Sequence, residues 1–419
     1  MKARRSRRGH ASKIALVCAG GGVTGALYEI GCLKALEETL DLDLTRLDCY
    51  VGVSAGAFVA SLLANGFSPG EIYDAFTAGG PEPFGVNSAA FFRLGMAEYA
   101  KRALRLPGAT FAAVKALLSR DAFAPHDVLT PFLEVIPPGL LDNSGVKDFL
   151  EALFERNGKP NTFDELTRSL RIVAVDLDRA ETIAFGDPEH QSVTISEAVQ
   201  ASTALPGLYR PVHLRGRDYV DGGVTKTAHI NLAIQQGADL IICINPLVPI
   251  LNRASKSSLG PLSSHGVDTV LGQVFRILIQ GRFEYGLDRY RTEHPEVDIL
   301  LIEPTRDDLT MFRYDIMRYS ARKALTRHGR ATALQTLHEK KSEIATLLKK
   351  HGLKVRSRPK AALFEKEEPA AEVEHKARSA RALSASLDSL DRSLSWGDAK
   401  GRASAGRRRP IPRATARIA

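Results

Sequence analysis

The chain has 419 residues, 44% hydrophobic and 25% charged, a composition typical of soluble globular proteins and long enough for one large domain or two ordinary ones. The formal charge of +9 sits at the ends: residues 1–13 hold six Lys/Arg and no acid (+6), residues 353–419 hold 16 against 8 (+8), and the body 14–352 holds 35 against 40 (−5). No apolar run reaches the roughly 18 residues of a membrane span, and the basic opening "MKARRSRRGHASK" is followed by no apolar core or cleavage site, so it does not read as a secretory signal.

In chain order, "KIALVCAG" (13–20) reads as a short apolar strand ending in glycines, and 24–39 as an amphipathic helix. "DCYVGVS" (48–54) is the next strand, followed by a helix over 55–64. "RIVAVDLD" (171–178) and "ETIAFG" (181–186) are strands before a short helix near 195–201. "YRPVHL" and "RDYVDGG" flank a turn at Arg215–Gly216. A helix over 231–236 precedes a strand over 239–245 and another, "DILLIEP", over 298–304. Long helices are expected at about 267–291 and 314–350. Apolar strands separated by helices predict a three-layer α/β/α fold with a mostly parallel central sheet.

Two regions depart from that rhythm. Residues 81–145 carry Phe84, Phe91, Phe92, Phe111, Phe123 and Phe132 among basic residues, and read as a helical insertion in a 14–352 domain, either a lid over an acyl site or a packed layer. Residues 1–13 and the Ala/Ser/Arg-rich 353–419 read as basic disordered ends. Leu383, Leu387, Leu390 and Leu394 lie three to four residues apart in the second. Cys18, Cys32, Cys49 and Cys243 occupy apolar segments without spacing suited to zinc or redox chemistry. Burial and a reducing compartment, the cytoplasm, are expected.

Three stretches carry chemistry. "AGGGVTGALYEIG" ends a strand with glycines at a helix start, where backbone N–H groups lack intrahelical partners and form an anion-binding nest. Gly20, Gly22 and Gly25 also satisfy the dinucleotide pattern G-x-G-x-x-G. That motif wants an acid at the end of the next strand, and here the strand ends in Ser54. "GVSAG" (52–56) matches the nucleophile elbow G-x-S-x-G, which holds a serine hydroxyl out of a strained strand-to-helix turn. "RDYVDGG" presents Asp221 at a bend before Gly222 and Gly223. A serine nucleophile needs a base, and Asp221 is the candidate. His213 and His229 flank it, so a Ser-Asp-His triad is an alternative.

Together these stretches resemble the patatin-like phospholipase family. The oxyanion loop of that family resembles Gly20-Gly21-Gly22-Val23-Thr24-Gly25, its elbow matches Gly52-Val53-Ser54-Ala55-Gly56, and its Asp-Gly-Gly/Ala motif matches Asp221-Gly222-Gly223. "ASTALPGLYRPV" (201–212) matches its small-residue helix end running into a proline-rich strand. The resemblance covers about 13–250, with the sheet extending to about 305. It implies a Ser54–Asp221 dyad without a catalytic histidine, an oxyanion hole from the N–H groups of Gly20, Gly21, Gly22 and Gly25, an acyl-enzyme, and no metal or cofactor. The family usually has Arg or Lys where this chain has Thr24. Losing that charge leaves lysophospholipid, neutral lipid and simple acyl ester open as substrates.

The basic ends suggest peripheral contact with an anionic membrane. No nucleic-acid recognition fold accompanies them, so no nucleic-acid partner is expected, and the sequence is silent on oligomeric state. A membrane- or partner-binding protein with a vestigial hydrolase core is the alternative from another class.

Overall fold

A computed structural model describes residues 12–77, 93–94, 108, 110–111, 136–253 and 259–356. Most of the expected insertion, residues 1–11, and 357 onward with the Leu383–Leu394 stretch lie outside the described residues.

Strand β1 (Ile14–Cys18) leads into helix α1 (Gly22–Thr39), and β2 (Cys49–Val53) into α2 (Ala55–Ala64) and α3 (Pro69–Thr77). Two short strands, β3 (Arg93–Leu94) and β4 (Gly139–Asp142), fall in the range of the expected insertion and are followed by helix Ser144–Arg156. Next come β5 (Ser169–Asp176), β6 (Glu181–Phe185), helix Ile195–Ser202, β7 (Gly207–Tyr209), β8 (Val212–Leu214) and β9 (Arg217–Asp221). Helix Ile230–Gln235, β10 (Leu240–Ile244), helix Val267–Glu293 and β11 (Asp298–Ile302) complete the sheet region.

The main sheet runs β11-β10-β1-β2-β5-β9-β8, with β6 also on β5. From β11 to β5 every pairing is parallel, and β6, β9 and β8 join antiparallel. The fold is therefore α/β with a mostly parallel sheet covered on both faces. Beta-strand alternation shows directly in β1. Ile14, Leu16 and Cys18 belong to the core that includes α1 and α2, while Ala15 and Val17 belong to the opposite core with Ile230, Phe283 and Leu287. A second, three-stranded sheet, β3-β4-β7, draws its first two strands from the range where only helix was expected. All four cysteines are buried and unpaired.

The expected 314–350 helix is divided. It appears as helix Arg322–Glu339 and helix Lys341–Lys350, separated at Lys340, while residues 314–318 form an irregular segment. Beyond the expected domain end the chain still pairs with the end of α1: Arg356 N–H donates to Thr39 O at 2.8 Å, and Val355 bridges Leu40.

Helix Arg322–Glu339 packs closely on α1 through two glycines. A Cβ on Gly31 would collide with the Thr326 carbonyl oxygen, and one on Gly329 with the Tyr28 carbonyl oxygen. Backbone cannot step aside as a side-chain tip can. Gly31→Ala is expected to cost about 2 kcal/mol or more, read as a lower urea midpoint at unchanged slope. An unchanged midpoint would mean that the two helices separate freely.

Candidate active site

The site is built at one edge of β5. Its Val173 faces Val53 of β2 on that edge, and its next residue, Ala174, faces Asp221 of β9. The opposite edge over 172–176 is occupied by β6, so β2 and β9 share a single edge and meet end to end. Ser54 follows Val53 directly, and Asp221 is the last residue of β9. The two side chains line one cavity.

Ser54 adopts φ 54° and ψ −124° between β2 and α2. This is a conformation that L residues rarely take, and it turns the side chain out of the strand-to-helix path. Both elbow glycines are required by close packing. A Cβ on Gly52 would come within 2.6 Å of the Gly56 carbonyl oxygen, and one on Gly56 would strike the Cys18 carbonyl. The strained turn is held by a residue the sequence reading did not single out. Ser54 N–H donates to the Ser202 hydroxyl at 2.8 Å, and that hydroxyl donates to Val173 O at 2.6 Å. Ser202 lies in "ASTALPGLYRPV", at the end of helix Ile195–Ser202, which starts with a reciprocal cap between Thr194 and Glu197.

Asp221 is buried, and its Oδ1 accepts the Gly223 N–H at 2.7 Å. Burial pushes its carboxyl up to about 6, with the Ser54 hydroxyl and the Gly223 N–H opposing the rise. At neutral pH it is mainly ionised and one proton short of neutrality, the state a base needs. Gly222 is obligatory because a Cβ there would meet the Val173 carbonyl.

The glycine loop divides into two pairs. Gly20 and Gly25 were expected as oxyanion donors, but Gly20 N–H donates to Thr227 O and Gly25 N–H to Gly21 O, both at 3.0 Å. The reason is that α1 starts at Gly22, two residues before the predicted helix, which puts Gly25 inside the first turn. Gly21 and Gly22 remain: among the described residues no hydrogen bond engages either N–H. The Gly22 φ of +62° and its contact with Ile316 explain glycine there. Thr24 is buried and its N–H donates to Ile316 O at 3.0 Å, so the irregular 314–318 segment buttresses the loop. Helix α2 starts directly after Ser54, and α1 starts two residues after Gly20, where a Cβ would lie 3.9 Å from Ser54 Oγ; neither helix has an acid in its first turn to neutralise its positive dipole end.

A cavity of about 430 Å³ opens over these groups. Its lining includes Ser54, Asp221 and Gly20–Gly22, and is otherwise mostly apolar, with Leu27, Phe58, Phe76, Leu205 and Ile279 among the walls. Arg282 is the one cation in that lining among the described residues.

No histidine lines this cavity among the described residues. His213 is exposed and pairs with Asp218 at 2.8 Å across the β8–β9 hairpin. His229 is buried and lines a separate cavity with His190 and Asn231. Burial lowers its imidazole to about 4. Neither histidine completes a triad with Ser54 and Asp221 in this arrangement.

Comparison with known proteins follows the same residues. A family model for patatin-like phospholipase matches residues 16–234. An uncharacterized protein of Acanthamoeba polyphaga mimivirus is 26% identical over 221 residues, covering 52% of this chain and 60% of that relative. Among solved structures, VipD from Legionella pneumophila is 15% identical, with 78% of this chain and 67% of that one covered at a TM-score of 0.35. ExoU from the type III secretion system of Pseudomonas aeruginosa, in complex with SpcU, is 12% identical, with 78% and 52% covered at a TM-score of 0.30. Likenesses that low carry no argument of their own. The family match spans just over half the chain, from β1 through the serine elbow and the Asp-Gly-Gly turn to the following helix, and on it this chain belongs to the patatin-like phospholipase family.

Proposed function

We propose that this chain is a lipid acyl hydrolase that cleaves carboxylic esters through an acyl-enzyme on Ser54. The observation that carries the reading is that Ser54, on its strained elbow, and the buried Asp221 carboxyl line one apolar cavity together with the glycine loop. Asp221 accepts the hydroxyl proton as Ser54 Oγ attacks the ester carbonyl. The resulting oxyanion is met by the N–H groups of Gly21 and Gly22, and by the positive ends of α1 and α2. The intermediate collapses by breaking the bond to the alcohol oxygen, which takes the proton held by Asp221. Water then adds to the acyl-enzyme with Asp221 again as base, releasing the carboxylic acid and restoring Ser54. The apolar walls accept the acyl chain, and Arg282 is placed to tolerate a negatively charged head group. No metal or cofactor enters any step.

Ser54→Ala and Asp221→Asn are each expected to reduce hydrolysis of a short-chain aryl ester by roughly a thousandfold or more. A fluorophosphonate should label wild type at Ser54, and His213→Ala should behave as wild type. Full activity in either dyad variant, or a His213→Ala loss as large as theirs, would sink the dyad.

The pH dependence follows from the Asp221 value of about 6. The kcat is expected to fall as pH drops through that value, because protonated Asp221 accepts no proton. Stability runs the other way. A carboxyl raised from 3.8 in the folded state favours folding most below 3.8, and that advantage is lost as pH rises through about 6. The ionised carboxylate thus costs on the order of 3 kcal/mol above that range. Asp221→Asn should melt higher than wild type at about pH 8, with the gap closing towards pH 4. A lower melting temperature at about pH 8 would contradict the assignment.

Ser202→Ala leaves the buried Ser54 N–H and Val173 O without their shared partner. It is expected to lose about 1–3 kcal/mol of stability and to lower kcat more than it raises KM. Wild-type kcat in this variant would show that the elbow holds itself.

A further inference from the structure

Helix Val267–Glu293 has one buried side and, opposite it along its first half, an exposed apolar side. One side faces the sheet: Arg276, Ile279, Gln280, Phe283 and Leu287 are buried. The other is open to solvent. Val270, Leu271, Val274, Phe275, Ile277 and Leu278 are between 37% and 61% exposed, and Val267 at its start is 73% exposed. At 100° per residue these positions form one stripe centred opposite the buried side. A surface helix normally turns charge to water on that side. Here the only cation among positions 267–281 is Arg276, which is buried, donating to Met311 O and stacked over Phe312. A contiguous apolar stripe of this size marks an interaction surface.

The occupant is indicated by what the stripe adjoins. Phe275 and Leu278 are at once members of the exposed stripe and walls of the cavity above Ser54. The apolar surface therefore runs without interruption from the outside of the helix into the site. At its far end Arg282, also part of the cavity lining, is exposed and donates to Val224 O at 3.0 Å. An apolar face closed by one cation matches a lipid leaflet, whose acyl region takes the side chains and whose phosphate level meets the guanidinium. We infer that this helix face docks the protein on a phospholipid bilayer and delivers an acyl chain directly from the leaflet into the cavity. The inference rests on the lipid-hydrolase reading for its purpose, and it locates membrane contact on the folded body instead of the basic ends. The helix lies along the surface: no helix among the described residues is long and apolar enough to cross a membrane.

The test is flotation of the full chain with phosphatidylcholine vesicles in high salt, where the charged ends are screened. Wild type should float. Leu271→Glu combined with Ile277→Glu, two exposed positions outside the cavity lining, should reduce partitioning by about tenfold or more. Hydrolysis of vesicle lipid should fall in step, while hydrolysis of a water-soluble aryl ester stays at the wild-type rate. As an independent readout, the fluorescence of Leu271→Trp should shift to the blue on adding the same vesicles. Equal flotation of the double variant and wild type, wild-type binding confined to anionic vesicles at low salt, or no blue shift would each overturn the proposal. So would a wild-type dimer that the double variant dissociates without any change in flotation, since the face would then hold a second copy. If wild type neither cleaves esters nor takes the fluorophosphonate, yet flotation is lost in the double variant, the hydrolase reading fails and the docking face stands.

Discussion

Everything in the site depends on one vacancy in hydrogen-bond pairing along β5. Because β2 stops at Val173 and β9 takes over at Ala174, two strands distant in sequence end against each other on the same edge. The junction leaves the Val173 carbonyl as the point where neither neighbour continues. A buried carbonyl without a partner is costly, and the Ser202 hydroxyl meets it while also accepting the Ser54 N–H. The same hydroxyl thus closes the sheet and holds the strained elbow. Gly222 permits the junction, since any side chain there would collide with that carbonyl.

The groups gathered at this junction are held away from their individual optima. Ser54 sits at positive φ, and Asp221 is buried without a cation beside it, so that its carboxyl is raised instead of lowered. Both departures cost stability, and the parallel sheet with its two apolar cores supplies it. Strain and desolvation at one edge of a well-packed sheet are what keep a hydroxyl exposed to a carboxylate that is basic near neutral pH. The glycine loop shares this logic. Its first and last glycines pair with the protein's own carbonyls, and this leaves the two middle N–H groups aimed at no internal acceptor.

The helix Val267–Glu293 links this cavity to the exterior. Its buried side seals one face of the sheet, its cavity-facing residues form a wall above the serine, and its third side is apolar and open. A helix asked to pack in only one direction does not need that third side. Thr24, where the family usually carries a cation, is instead buried against the 314–318 segment, and Arg282 on this helix is the one cation in the cavity lining among the described residues.

Sequence alone determined the local units, because their signals are local. Apolar runs of five residues mark β1 and β2, glycines at the strand exits mark the loop and the elbow, and Asp221 before two glycines marks a bend. These patterns named the α/β class and singled out Ser54 and Asp221 as candidates. Helix boundaries were less legible: Gly22 begins α1 despite its poor propensity, with Ile316 packed against Gly22 and Pro246 against Gly21 and Gly25 from outside. The division of the expected 314–350 helix has a similar origin, as a helix through 314–318 would withdraw Ile316 from the glycine loop. Only tertiary structure decided that β2 and β9 share one edge of β5, that Gly20 and Gly25 spend their N–H groups internally, that Ser202 bridges Ser54 to Val173, and that both histidines lie away from the serine. It also decided which side of helix Val267–Glu293 is covered. The physical reason is common to all of these: a residue's pattern records that it prefers an apolar or hydrogen-bonded place, and only the pairing of distant segments determines which neighbour provides it.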